Sequence, residues 1–285
     1  MKDIFKQWLS SFIKLCGTIF GILGAISVFL PLADFTGSNI RIGIEILLGF
    51  IIVIALVSGV WTYFVIHKKK KNIYSSVKTN IIFEYADIND ILKVADADSE
   101  SITVVVPVNT NLEIAFNKEL IQENTVHRLC LDYIFEKRGT EIDRDFLERI
   151  PLKKDKFDSN GKIGDWFLVT AKDIEIDSNI QFLFIEIFDI EEKNGKKINA
   201  KLDKQLFLIG LQSLISAISD VLNQESKVYM PLIGAGAGNV GEPKDIMHFI
   251  QAMLRFNKGE LQQEIHVVIK EKYKNKTPIY QLSEF

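Results

Sequence analysis

Two long uncharged runs dominate the start of the chain, residues 15–33 and 42–66, the second broken only by Glu45 near its beginning. Each is long enough to cross a bilayer as a helix. Between them lies a short polar turn that holds Asp34 and Arg41. In hydrocarbon a backbone must satisfy its own hydrogen bonds, which two paired helices do, so the pattern predicts a transmembrane hairpin. A cleaved signal peptide fits the first run poorly, because a second run follows at once. Beyond Asn72 the periodicity changes. Short apolar stretches at 80–85, 101–108, 165–171, 181–188, 227–230 and 265–270 read as strands. Segments 113–136 and 203–222, and the stretch after Pro243, carry apolar residues at helical spacing. Residues 141–160 are charged and read as a surface insertion, and 193–197 as a solvated turn. The pattern predicts an α/β fold: a two-helix transmembrane hairpin over residues 1–71, then a domain over 72–285 with a mixed central sheet flanked by helices.

Charge adds an orientation. Lys2, Lys6 and Lys14 precede the first run, and Lys68, Lys69, Lys70 and Lys71 follow the second. The intervening turn has only Arg41, offset by Asp34. The positive-inside rule therefore places both termini in the cytoplasm of a two-span inner-membrane protein, with the lipid bilayer as a partner. Gly17, Gly21 and Gly24 recur at helical spacing, with Gly43 and Gly49 in the second run, which suits close helix association. The net charge of -3 gives no basic footprint for nucleic acid. Two cysteines, Cys16 and Cys130, form no disulfide or metal pattern, and the four histidines have no metal-ligand spacing. No nucleophile–base arrangement is visible, so no catalytic residue, metal ligand or cofactor is assigned.

The most specific chemistry lies in the run from Pro231 to Gly241, Pro-Leu-Ile-Gly-Ala-Gly-Ala-Gly-Asn-Val-Gly, between a strand and a helix. Glycine lets a main chain approach an anion and adopt positive φ without a Cβ clash. The helix that follows adds its positive end. Gly234, Ala235, Gly236, Ala237, Gly238, Asn239 and Val240 are thus candidates for a phosphate cradle. The other reading is a strand-to-helix turn that merely packs tightly. No Walker lysine follows the loop.

Ligands in such sheets bind beyond the carboxyl ends of the strands. Ala86-Asp87-Ile88-Asn89 and Val106-Pro-Val-Asn109 fall there with the glycine loop. Together the three segments resemble the macro domain, an ADP-ribose-binding α/β module, over about residues 79–270. The resemblance implies that Asp87 accepts from the adenine amino group and that Ile88 lines the adenine pocket. Val108, Asn109 and Thr110 would lie at the distal ribose, and the glycine loop would hold the phosphates. Without the family, Asp87 reads equally as a helix cap or turn residue, and Asn109 as a cap. Hydrolytic macro domains carry a Gly-Gly-Gly loop after the asparagine, whereas Glu113-Ile-Ala-Phe-Asn117 has no glycine, which favours binding over turnover. His127 and Arg128 are placed on an exposed helix face, with a place on the pocket rim as the alternative. A membrane hairpin joined to a macro-like domain is similar to the membrane effectors of type II Thoeris antiphage defence. That resemblance implies a TIR-domain partner that makes a histidine-conjugated ADP-ribose from NAD, and a homo-oligomer that compromises the membrane on binding it. A membrane-anchored ADP-ribosyl hydrolase and a passive ADP-ribose-binding scaffold are the alternatives.

Overall fold

The structure is a computed structural model. It describes residues 2–29, 40–95, 101–110, 121–139, 162–188, 190–193, 196–199, 203–222, 224, 226–235 and 240–284. The chain divides into two compact units, Met1–Lys68 and Lys69–Phe285.

The first unit holds two helices, α1 (Lys2–Phe29) and α2 (Ile40–His67). They run antiparallel, because Trp8 near the start of α1 sits against the second half of α2. Its indole Nε1–H donates to Ala55 O at 3.5 Å. A Cβ added at Gly59 would lie 3.7 Å from the same nitrogen. Ile54, Ser58 and Thr62, four residues apart on one face of α2, are buried. Other described faces of α2 are turned inside out. Phe50, Ile52, Leu56, Val60, Trp61 and Phe64 are exposed, the reverse of what water selects for a large apolar surface. Among the described residues one helix, Leu48–His67, is long and apolar enough to cross a membrane. In α1 the apolar stretch whose side chains are described is Trp8–Gly21. Of the turn expected at 34–41, residues 34–39 lie outside the described residues, and Ile40 and Arg41 belong to α2 instead. Gly17, Gly21 and Gly49 do not make the contact between the two helices, since a Cβ at any of them would meet open space.

The second unit is built on a seven-stranded sheet. The strands are β1 (Lys70–Ser75), β2 (Asn80–Tyr85), β3 (Ile102–Asn109), β4 (Trp166–Thr170), β5 (Ile180–Phe188), β8 (Lys227–Pro231) and β9 (Glu264–Ile269). Their spatial order is β1-β2-β9-β8-β3-β5-β4. The five inner strands are parallel, and β1 and β4 close the edges antiparallel. A separate hairpin of β6 (Ile190–Lys193) and β7 (Lys196–Asn199) occupies the expected turn region, whose residues 194–195 are not described.

Among the described residues four helices cover the sheet: α3 (Ile88–Ala95), α4 (Val126–Arg138), α5 (Lys204–Val221) and α6 (Pro243–Asn257). Strand alternation sorts the core into two layers. Val105, Leu183, Ile185, Val228, Ile265, Val267 and Ile269 pack with α5 and α6. Val104, Val106, Val108, Phe182, Phe184 and Val268 pack with α3 and α4. Right-handed crossovers explain the division. The path from β2 through α3 to β3 runs toward one edge, and the path from β5 through α5, β8 and α6 to β9 runs back, so the two sets of helices fall on opposite faces.

The sequence led to a helix from residue 113, but among the described residues α4 begins at Val126. Asn124 takes a left-handed φ of 62°, and Thr125 caps the helix by accepting from Arg128 N at 3.1 Å. Residues 113–120 lie outside the described set. Besides β6 and β7, two elements were not anticipated. One is α3, eight residues long. The other is β1, whose Lys70 and Lys71 had been assigned only to membrane topology. Lys71 Nζ donates to Leu282 O at 2.6 Å and to Tyr280 O at 3.2 Å, which binds this edge strand to the segment after β9.

Candidate functional site

Five parallel strands end along one crest, in the order β2, β9, β8, β3, β5. The glycine loop leaves the middle of that row. The Asp87 turn leaves β2 on one side, and Asn109 and Thr110 leave β3 on the other. The three segments singled out in the sequence are thus brought to one end of the sheet, where parallel α/β sheets take ligands.

Ala86 N donates to Ile269 O at 3.2 Å, which ties the end of β2 to β9. Asp87 follows and starts α3. Its carbonyl accepts from Asp90 N and Ile91 N, and its carboxylate Oδ1 accepts from Asn89 N at 2.9 Å. The side chain is therefore a helix cap, half-buried, with its second oxygen available to a further donor. Ile88 is only 1% exposed and packs in the core layer with Val106, Val108 and Val268. At the end of β3 the register with β5 shifts between Val108 and Asn109. Val108 is buried, while Asn109 and Thr110 are half-buried on the crest. Thr110 N donates to Phe188 O at 2.9 Å, which fixes their height.

The glycine loop is held at both ends. Leu232 N donates to Val268 O at 3.0 Å, and Val240 N donates to Gly234 O at 3.1 Å, so residues 234 and 240 close on each other. Gly234 has φ 87° and lies against the Phe207 ring of α5. A Cβ there would come within 2.9 Å of Phe207 Cζ. Both facts require glycine. Ala235 and Val240 are half-buried and pack on the α5–α6 core layer. Gly236, Ala237, Gly238 and Asn239 lie outside the described residues. Pro243 begins α6 at its first position, where the missing N–H costs nothing.

Sequence reasoning missed Glu186. It lies near the carboxyl end of β5, paired in register with Val108. It is 0% exposed, and neither carboxyl oxygen has a hydrogen-bond partner. Burial first, and then the nearby Asp165 charge, raise its pKa to about 8. Its alternation with Phe182 and Phe184 puts the side chain on the face that carries α4. His127 lies there too, buried and edge-on to Phe184 with ring centroids 6.5 Å apart. This corrects the exposed helix face expected for His127 and Arg128. The Arg128 guanidinium folds back onto Asp132 at 3.2 Å and onto Ile121 O at 3.4 Å. Cys130 is fully buried, and burial pushes its thiol well up, so it is no nucleophile. Among the described residues no cluster of acidic, histidine or cysteine side chains is arranged to hold a metal.

At the opposite end of the parallel row a second buried carboxylate is fully paired. Glu84 meets Lys70 Nζ at 2.6 Å and His266 Nδ1 at 2.8 Å. His266 Nε2 lies 2.8 Å from Glu264 Oε1. The ring donates to both carboxylates only when both nitrogens carry protons. Burial opposes ionisation of Glu84 and Glu264. The bonds from His266, joined at Glu84 by Lys70, outweigh it and hold both below the usual carboxylate value.

The model of the family described as Thoeris protein ThsA, Macro domain, matches residues 87–270, from the Asp87 cap through the end of β9. Solved structures also align with the chain. A point mutant of the Oceanobacillus iheyensis macrodomain with ADPR is 13% identical, with a TM-score of 0.46, over 74% of this chain and 95% of that one. The Oceanobacillus iheyensis macrodomain with ADP is 13% identical, with a TM-score of 0.44, over 74% and 93%. The macro domain of ganglioside induced differentiation associated protein 2 is 16% identical, with a TM-score of 0.36, over 70% and 83%. No curated protein matches significantly. The family model spans the whole crest and well over half of the chain, and the chain belongs to the Thoeris ThsA macro-domain family.

Proposed function

We propose that this protein is a membrane receptor-effector whose Lys69–Phe285 unit binds an ADP-ribose-type nucleotide across the carboxyl ends of its parallel strands. The observation that carries this reading is the glycine loop. It is closed between Gly234 and Val240 at the centre of the row, with Asp87 two strands to one side and Asn109 one strand to the other. Strands lie about 4.8 Å apart, so β2 to β3 spans roughly 14 Å, room for a dinucleotide-sized ligand laid across the sheet. Adenine meets Asp87, the phosphates meet the loop, and the distal ribose meets Asn109. The signal is a histidine-conjugated ADP-ribose made from NAD by a TIR-domain partner. The helices sit in the inner membrane as two spans with both termini in the cytoplasm. The signal favours an associated state in which they disrupt the bilayer, and it does so only through tighter binding to that state. Family membership and the outward apolar face of α2 support this reading.

Full-length protein in detergent would be titrated with ADP-ribose and with its histidine conjugate by calorimetry, while its size is followed by light scattering and the ligand by mass spectrometry. Saturable binding, intact ligand and larger assemblies are expected. Gly236→Glu places a carboxylate in the cradle and abolishes binding in a protein that still folds. Steady ligand turnover without assembly replaces the receptor with a hydrolase. Absence of binding removes the site.

A further inference from the structure

Lysines far apart in the sequence meet where the second unit begins. That unit starts at Lys69, two residues after α2 ends at His67. Tyr85, the last residue of β2, ties this start to the segment that follows β9. Its N–H donates to Lys69 O at 2.8 Å. Its hydroxyl donates to Thr277 O and accepts from Ile279 N at 3.0 Å. Lys274 Nζ lies 5.6 Å from the centroid of its ring. Residues 270–277 carry a lysine at every second position: Lys270, Lys272, Lys274 and Lys276. Lys270 is engaged by Asn124 O at 2.6 Å. Lys272 and Lys276 are exposed, and Lys274 is half-buried. Lys69 is exposed as well, and the Lys70 side chain is 65% exposed although its ammonium meets Glu84. Within the segment Glu271 alone is acidic.

We propose that Lys69, Lys272, Lys274 and Lys276 form a contact surface for the anionic headgroups of a lipid bilayer. The inference rests on the reading that α2 spans the membrane. Chain length then decides where the surface lies. Two residues of chain reach at most about 7 Å. The polar layer on either side of the hydrocarbon is roughly 5–7 Å deep. Lys69, whose carbonyl is already built into the sheet, therefore stays at the headgroups or just beyond them. The segment fastened to it through Tyr85 is carried to the same level. Lipid phosphates there supply the negative charge that this face lacks. Membrane topology needs only the lysines that flank a span. Lys272, Lys274 and Lys276 come far downstream and have no part in insertion, so their place beside Lys69 calls for a use in the folded protein.

Full-length protein would be placed in nanodiscs of phosphatidylcholine alone and of an equal mixture with phosphatidylglycerol. Lysine exposure would be read by mass spectrometry after brief treatment with an uncharged acylating reagent. The anionic discs should slow modification of Lys69, Lys272 and Lys276 by about fivefold, the pull of such a surface on one lysine, and high salt should restore it. Lys78, Lys93 and Lys172, exposed but outside this surface, should react alike in both lipids. Changing Lys272, Lys274 and Lys276 together to Gln should release Lys69, whereas changing them to Arg should keep it protected. The wild-type comparison of the two lipids stands even if the Gln variant fails to fold. Wild-type rates within about twofold of each other in the two lipids overturn the surface. Protection by ADP-ribose in detergent, with none from phosphatidylglycerol, gives these lysines to the nucleotide and overturns it too. Protein that does not enter the discs is a different failure, which removes the span itself.

Discussion

Glu84 and Glu186 are both buried glutamates on inner strands of one sheet, yet they stand in opposite chemical states. Glu84 is ionised and enclosed by Lys70 and His266. Glu186 has nothing to bond and holds its proton up to about pH 8. The first sits on β2, flanked by β1 and β9. The second sits on β5, in register with Val108 near the end of β3. A buried acid with its counter-charges supplied supports the fold. One without them costs stability.

Breaking the closed network should have the largest effect. Glu84→Ala leaves Lys70 and the buried His266 ring without their shared carboxylate and should cost about 3–5 kcal/mol in chemical denaturation at neutral pH. Glu84 and Glu264 have lowered values, so their contribution is fully present above the unfolded value of about 4.5. It is lost as pH falls through the folded values, and wild type and variant should converge there. An undiminished gap in strong acid would mean that the ion pairs are not what holds this edge. The next effect comes from Gly234→Ala, which meets both the Phe207 ring and a φ of 87°. We expect a loss of about 2–3 kcal/mol. Adding Phe207→Leu should recover the steric part and not the backbone part, and a double-mutant cycle with no coupling would refute the contact.

Glu186→Leu should move stability the other way. The raised folded value means that the native state keeps a proton which the unfolded state has lost between about pH 4.5 and 8. Wild-type stability therefore falls as pH rises through that window. The variant should lack the slope and be more stable by about 1–3 kcal/mol near neutrality. A less stable variant at every pH would make Glu186 a structural group after all. The smallest effect is expected at Asp87. Asp87→Ala removes the α3 cap and should cost about 1 kcal/mol, while Asp87→Asn keeps it. Asp87→Asn that retains stability but loses nucleotide affinity would separate the two roles of this carboxylate. If affinity is unchanged as well, Asp87 is a cap alone.

Much of the inner sheet was visible as short apolar stretches such as Val104–Val105–Val106, and the glycine loop was visible because strand, loop and helix follow one another in sequence. The edge was not. In β1 only Ile73 is deeply buried, and the two lysines that start it match a membrane flank equally well. The helix α3 did carry a readable period, with Ile88, Ile91, Leu92 and Ala95 buried, but eight residues give too few repeats to stand out. Glu186 was hidden for a different reason. Within Phe182–Phe188 a single glutamate looks like one outward-facing position of a strand, and only its neighbours on β3 and α4 reveal that no water reaches it. His127 was misplaced in the same way, because helix face and burial depend on what the sheet brings opposite.

The pairing of β2 with β9 also sets a timetable for biosynthesis. Asn80 finds its register partner only at Glu264, a separation that the ribosome takes roughly 10–40 s to cover. During that interval α1 and α2 are already outside the ribosome, while β2 can pair only with β1. The central sheet then closes late and slowly, since distant parallel partners must meet before either gains from the encounter. A newly made molecule thus passes through a period in which its helical part is complete and its central sheet is not.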